Sequence, residues 1–149
     1  MPGPHHSRTI FSTIAFAALF ILIAATYALF HGYFDRGHFE VKQAEWSSAR
    51  QVALVTKRSD NDALNGDEIF VVIENHLLSL SELRRALHSD AVIFGTDRDC
   101  LKIEWRDSTH LLVRCDGGSI TQDQIDVQKQ KKDGIIISYA NIATKTATN

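Results

Sequence analysis

Proline is almost missing from this chain of 149 residues: Pro2 and Pro4 are its only two. Nothing after them is kinked or broken by a proline ring. Cysteine is equally scarce, with Cys100 and Cys115 alone. Two lone cysteines cannot supply a CxxC-type zinc or redox site, and no HExxH, P-loop or GxGxxG motif occurs. A hydrolase elbow of the GxSxG type is also missing, and Gly117-Gly118-Ser119 reads as a turn. Cys115 and His110 are five residues apart, so on a strand they point to opposite faces and do not form a nucleophile–base pair. The largest gap is in charge. Thr9–Phe30, TIFSTIAFAALFILIAATYALF, holds no Asp, Glu, Lys, Arg or His.

That uncharged run predicts a transmembrane helix, because about 20 residues at about 1.5 Å rise cross a hydrocarbon core roughly 30 Å thick. It contains no Gly or Pro to interrupt the helix, and Ser12, Thr13 and Thr26 can return their hydroxyls to carbonyls one turn back. Ala17, Ala18, Ala24 and Ala25 are small enough for close helix contact. Tyr27, Phe30, Tyr33 and Phe34 suit the membrane–water interface. A cleaved signal peptide is the rival reading. Thr26-Tyr27-Ala28 is a poor cleavage site and the apolar run is long, so an uncleaved anchor is favoured. Orientation is divided. Arg8 precedes the run, whereas Arg36, Lys42 and Arg50 follow it, which by the positive-inside count keeps the C-terminal part in the cytoplasm. A folded domain translocates largely regardless of charge, and the short basic tail favours the opposite arrangement, with the domain outside.

About 115 residues follow the run, enough for one small domain. They hold all 18 acids and 15 of the 16 Lys and Arg, which leaves −3. That balance argues against a nucleic-acid-binding face and against a polybasic lipid attachment. Met1–Arg8 is a tail, and 31–45, with Gly32 and Gly37, reads as a juxtamembrane linker. Neither His5-His6 nor His31 with His38 has the further ligands that a metal site needs.

From Trp46 onward the pattern alternates. Gln51–Lys57 and Glu68–Glu74 are apolar on both faces and predict a well-covered hairpin around the acidic loop RSDNDALNGDE. Leu78–Leu87 predicts a short helix capped by Ser79 or Ser81, with Leu80, Leu83, Ala86 and Leu87 turned inward and Arg84-Arg85 outward. Ala91–Gly95, Leu101–Trp105, His110–Cys115, Ile125–Gln130 and Ile135–Ala140 predict further strands. Asp133-Gly134 is a hairpin turn, and 141–149 is a loose tail. The expected fold is a single transmembrane helix followed by a mainly antiparallel β domain, of α+β type, over 46–140 with one short helix.

The Leu101–Cys115 hairpin leaves the cysteines undecided. A two-residue turn at Asp107-Ser108 sets Cys100 opposite Cys115 for a disulfide. A three-residue loop gathers Leu101, Ile103, Trp105, Leu111, Val113 and Cys115 on one face and sends Cys100 to the other. Asp60, Asp62, Asp67 and Glu68 cluster in the acidic loop. An EF-hand beginning at Asp60 fails where Leu64 and Val71 stand, so no metal is expected. Those four acids are instead candidates for a partner contact. Arg84, Arg85 and Arg98 form an anion site only if the fold gathers them.

The strand order resembles a group of small bacterial membrane-anchored or lipoprotein domains of unknown function (DUF5412-like). The likeness rests on Trp46–Ala53, the 60–68 loop, the hairpin with Leu101, Ile103, Trp105, Asp107, Leu111 and Val113, and the final Ile135, Ile137 and Tyr139. The Pro-Asp-Gly of that group's first turn is replaced here, and the Leu78–Leu87 helix is additional. The resemblance implies an envelope location and carries no catalytic residues. The expectation is therefore a non-enzymatic interaction or accessory module without cofactor. It would be held in the bacterial inner membrane by Thr9–Phe30, with its domain periplasmic or extracellular and a protein as partner. An immunity-type inhibitor using the 60–68 acids is the alternative, and an enzyme of unrecognised type the third.

Overall fold

The computed structural model describes residues 5–30, 37–60 and 66–144, with the side chains of the first helix described over 16–28. The chain divides into two compact units, Met1–Asp35 and Arg36–Asn149. The first contains one helix, α1 (His5–Phe30), of 26 residues. Its described large apolar side chains are exposed, from Leu19 at 52% to Phe20 at 73%. The Thr26 hydroxyl donates to the Leu22 carbonyl at 2.7 Å, as anticipated. Among the described residues no helix is long and apolar enough to cross a membrane, and the described side chains cover only half of α1.

The second unit is a two-sheet sandwich with a helix on one outer face. Its elements are β1 (His38–Trp46), β2 (Val52–Ser59), β3 (Glu68–Glu74), α2 (Leu80–Leu87), β4 (Val92–Thr96), β5 (Leu101–Trp105), β6 (His110–Cys115), β7 (Ile125–Gln128), β8 (Lys131–Lys132) and β9 (Ile135–Ala140). One sheet runs β1-β2-β3-β4-β7 and the other β5-β6-β9-β8. β2 and β3 form the expected hairpin, and both their faces are buried. Ala53, Val55, Ile69, Val71 and Ile73 pack between the sheets against Ile103, Leu111, Val113 and Ile137. Val52, Leu54, Phe70 and Val72 pack on the outer side against Leu83 and Ala86 of α2 and against Phe39. Apolar residues on both faces of these strands thus follow from a covered central position.

Several expectations are corrected. β1 begins at His38, inside the stretch read as linker, of which 31–36 lie outside the described residues. Gly37 precedes the strand and breaks nothing. α2 starts at Leu80 rather than Leu78, and β4 runs Val92–Thr96 rather than Ala91–Gly95. The tail is tied down as far as Ala143, where Ile142 is 8% exposed and the Ala143 amide donates to the Ile120 carbonyl at 2.8 Å. Like Ile120 and Ile142 in an isolated bridge, β6 and β9 pair in parallel, within a mainly antiparallel fold. The chain between them crosses to the other sheet as β7 and returns, so β9 arrives in the direction of β6.

A side chain closes one flank of the sandwich. Lys42 is an extra residue in β1, since Val41 pairs with Thr56 but Gln43 with Val55. This bulge reverses the alternation. Phe39 before it faces α2, and Gln43 after it faces the second sheet. The Gln43 amide donates to the Ile103 carbonyl at 2.9 Å and accepts from the Ile103 amide at 3.1 Å. A primary amide carries the same donor and acceptor as a peptide group, so it satisfies the free edge of β5 as a neighbouring strand would. The Trp105 indole N–H donates to the Glu45 carbonyl at 2.9 Å nearby.

Candidate interaction site

The strand directions give the domain two ends. β1 enters at His38 beside Ser59 of β2, and Trp46 lies at the other end beside Val52, which pairs onward with Glu74. The acidic loop falls at the His38 end. The α2 connection, which leaves Glu74 and returns at Val92, begins and finishes at the Trp46 end.

At the His38 end the acids are already partnered. Asp60 meets the Arg58 guanidinium at 2.9 Å, with its side chain only 15% exposed. Glu68 reaches the same arginine at 4.0 Å, and Asp67 bonds to Lys57. Asp99 lies 3.7 Å from both Lys57 and Lys42. The hydrogen bond from Lys57, with a second from Ser59, holds the Asp67 carboxyl below the usual carboxylate range, and the same bond raises Lys57. Asp62 lies outside the described residues. Three of the four predicted contact acids are therefore turned back onto the cations of β2.

The cysteines sit at the same end, joined as Cys100–Cys115 with a Cα separation of 4.8 Å. The hairpin nevertheless uses the three-residue loop, for Leu101 pairs with Cys115 and Trp105 with Leu111. Register and disulfide, set against each other by the sequence, coexist. Cys100 precedes β5 and is no longer bound by the strand's alternation. Its carbonyl accepts from the Asp116 amide at 2.8 Å, and its side chain turns across to Cys115.

At the Trp46 end, α2 is fastened by Glu82. Its carboxylate accepts from the Ser79 amide and the Ser79 hydroxyl, each at 2.7 Å, and meets His76 Nε2 at 3.1 Å. These bonds, the Ser79 hydroxyl first, lower the Glu82 carboxyl to about 2. Leu83 and Ala86 point inward, but Leu80 does not: it is 59% exposed, beside Leu77 at 58%. Trp46, on the same sheet face as Val52, is 50% exposed. Among the described residues Arg85 hydrogen-bonds the Ser81 carbonyl alone, at 3.4 Å, and Arg84 Nε is buried without a partner. Neither arginine has a carboxylate within ion-pair distance among the described residues. Arg98, beyond Thr96 at the opposite end of β4, does not join them.

The sequence reading missed this surface because Leu80 matched the inward spacing of Leu83 and Leu87. The doublet Leu77-Leu78 was the signal, since one helix face accommodates one of the two, and Leu78 takes the core position. No family model, no curated protein and no solved structure matches the chain.

Proposed function

We propose that the chain is a single-pass membrane protein that displays a disulfide-bonded β sandwich on the oxidising side of a bacterial inner membrane, as a non-enzymatic interaction or accessory module. The observation that carries this reading is α1. It is one unbroken helix of 26 residues, its described large apolar side chains are exposed, and the uncharged run it contains is longer than the described part. Such a surface is stable when lipid covers it. The Cys100–Cys115 bridge supports the side, because disulfides persist in oxidising compartments.

The partner contact belongs at the Trp46 end rather than on the 60–68 acids. Trp46, Leu77 and Leu80 present apolar area there, and Arg84 and Arg85 present charge with no carboxylate within ion-pair distance among the described residues. The complementary partner is a protein segment carrying Leu- or Phe-type residues flanked by Asp or Glu.

The deciding experiment labels intact cells with a membrane-impermeant maleimide, with and without reductant, and repeats it after lysis. Labelling of Cys100 and Cys115 only after external reduction is the expected result. Labelling only after lysis, without need of reductant, places the domain in the cytoplasm and sinks the proposal.

A further inference from the structure

A groove of about 550 Å³ opens between the loop after α2 and the β7–β8 connection. It lies at the Trp46 end, since the Lys129 amide donates to the Ile93 carbonyl at 2.8 Å, next to the start of β4. The 89–91 loop forms one wall, and Lys129, Lys131, Lys132 and Asp133 form the other.

Two of the three lysines are held in place. Lys129 Nζ donates to the Asp90 carbonyl at 2.6 Å and to the Asp90 carboxylate, and its side chain is only 25% exposed. Lys132 Nζ donates to the Ala91 carbonyl at 3.2 Å. Lys131 has no partner among the described residues. An ammonium carries three donors, so three of nine are spent and six remain. Against them stands one uncommitted carboxylate, Asp133. The nearby carbonyl oxygens of Asp90 and Ala91 already accept from lysines. What the groove has left to offer is hydrogen-bond donation and positive charge. Asp90 registers that field: the Lys129 bond, the Lys129 charge and the Lys132 charge all push its carboxyl down.

We propose that this groove binds a phosphate-class oxyanion, either free or carried on a lipid headgroup. Donors anchored to the backbone before the ligand arrives bind it with less loss of side-chain freedom than mobile surface lysines. This site is separate from the Leu77–Leu80 surface and stands or falls without it.

The test uses the full chain, labelled with ¹⁵N in uncharged detergent micelles. Inorganic phosphate and pyrophosphate are titrated at constant ionic strength, with chloride making up the balance. Amide shifts that saturate and are confined to 89–91 and 129–134 are expected. They weaken at least about fivefold in Lys131→Gln/Lys132→Gln. Lys131→Gln alone, at an exposed position, guards against a folding defect and weakens binding in part. Shifts that grow linearly, spread over the whole surface, or survive the double substitution overturn the proposal. A second arm places the protein in phosphatidylglycerol or phosphatidylcholine nanodiscs without free phosphate. The same shifts in phosphatidylglycerol discs alone identify a lipid source. Their absence from both, with phosphate still binding, identifies a soluble one. No response to phosphate, pyrophosphate or lipid ends the idea.

Discussion

Gln43 bonds β1 to both backbone groups of Ile103 on β5 with a single side chain. Removing it leaves both the Ile103 amide and carbonyl without their partner in a partly buried seam. Gln43→Ala should therefore cost about 1–3 kcal/mol, more than an exposed strand position would. Urea denaturation of the full chain in micelles measures it, and a loss below about 0.5 kcal/mol would show that water replaces the amide without penalty. Glu82 works through pH. Its folded carboxyl is depressed to about 2 from an ordinary 4.5. A depressed acid contributes stability that is complete above the unfolded value and is lost as pH falls through the folded one. Wild type and Glu82→Gln should thus differ in thermal midpoint at pH 6 and converge as the pH drops from about 4.5 towards 2. A difference that stays constant over that window would assign the effect to packing.

At the level of elements, α2 separates its roles by residue. Leu83 is 1% exposed against Val52, Leu54, Phe70 and Val72, so Leu83→Ala should destabilise by about 2–5 kcal/mol. Leu80 is more than half exposed, and Leu80→Ser should change stability by less than about 0.5 kcal/mol while weakening partner association. Equal losses of stability in both variants would return Leu80 to the core. The β5–β6 hairpin depends on its disulfide in a different way. A bridge across a separation of 15 residues restricts the unfolded chain, and replacing both cysteines by serine should cost roughly 3 kcal/mol. The strand pairing itself persists without it, because the apolar face Leu101, Ile103, Leu111 and Val113 sets the register. Backbone amide exchange at Ile103 and Val113 in the double-serine variant checks that expectation.

For the whole molecule, the two ends of the domain differ in how their charges are used. The end where the chain enters pairs Asp60, Asp67, Glu68 and Asp99 with Lys42, Lys57 and Arg58. At the opposite end Arg84, Arg85, Lys131 and Lys132 have no carboxylate within ion-pair distance among the described residues. Rising salt should therefore weaken partner association through the Trp46 end, and reversing the charge in Arg84→Glu/Arg85→Glu should weaken it further. Association measured by crosslinking in native membranes that ignores both changes would argue against an acidic partner.

Sequence alone determined the elements whose signals are local. The uncharged run of α1, the doubly apolar strands β2 and β3, the Ser79 cap, and the Asp133-Gly134 turn with its φ of 47° and 85° were all legible from residue types and spacing. Tertiary structure decided what depends on residues far apart in the chain. The Lys42 bulge matters only because β5 lies 60 residues away, where the Gln43 amide finds Ile103. Cys100 escapes the alternation of β5 only because it lies outside the strand. Asp60, Asp67 and Glu68 look free in the sequence, yet the fold brings Lys57 and Arg58 beside them. Leu80 looks buried until Leu78 occupies the core site ahead of it. Period and propensity act over a few residues, whereas burial and charge pairing are settled by which surfaces the fold brings together.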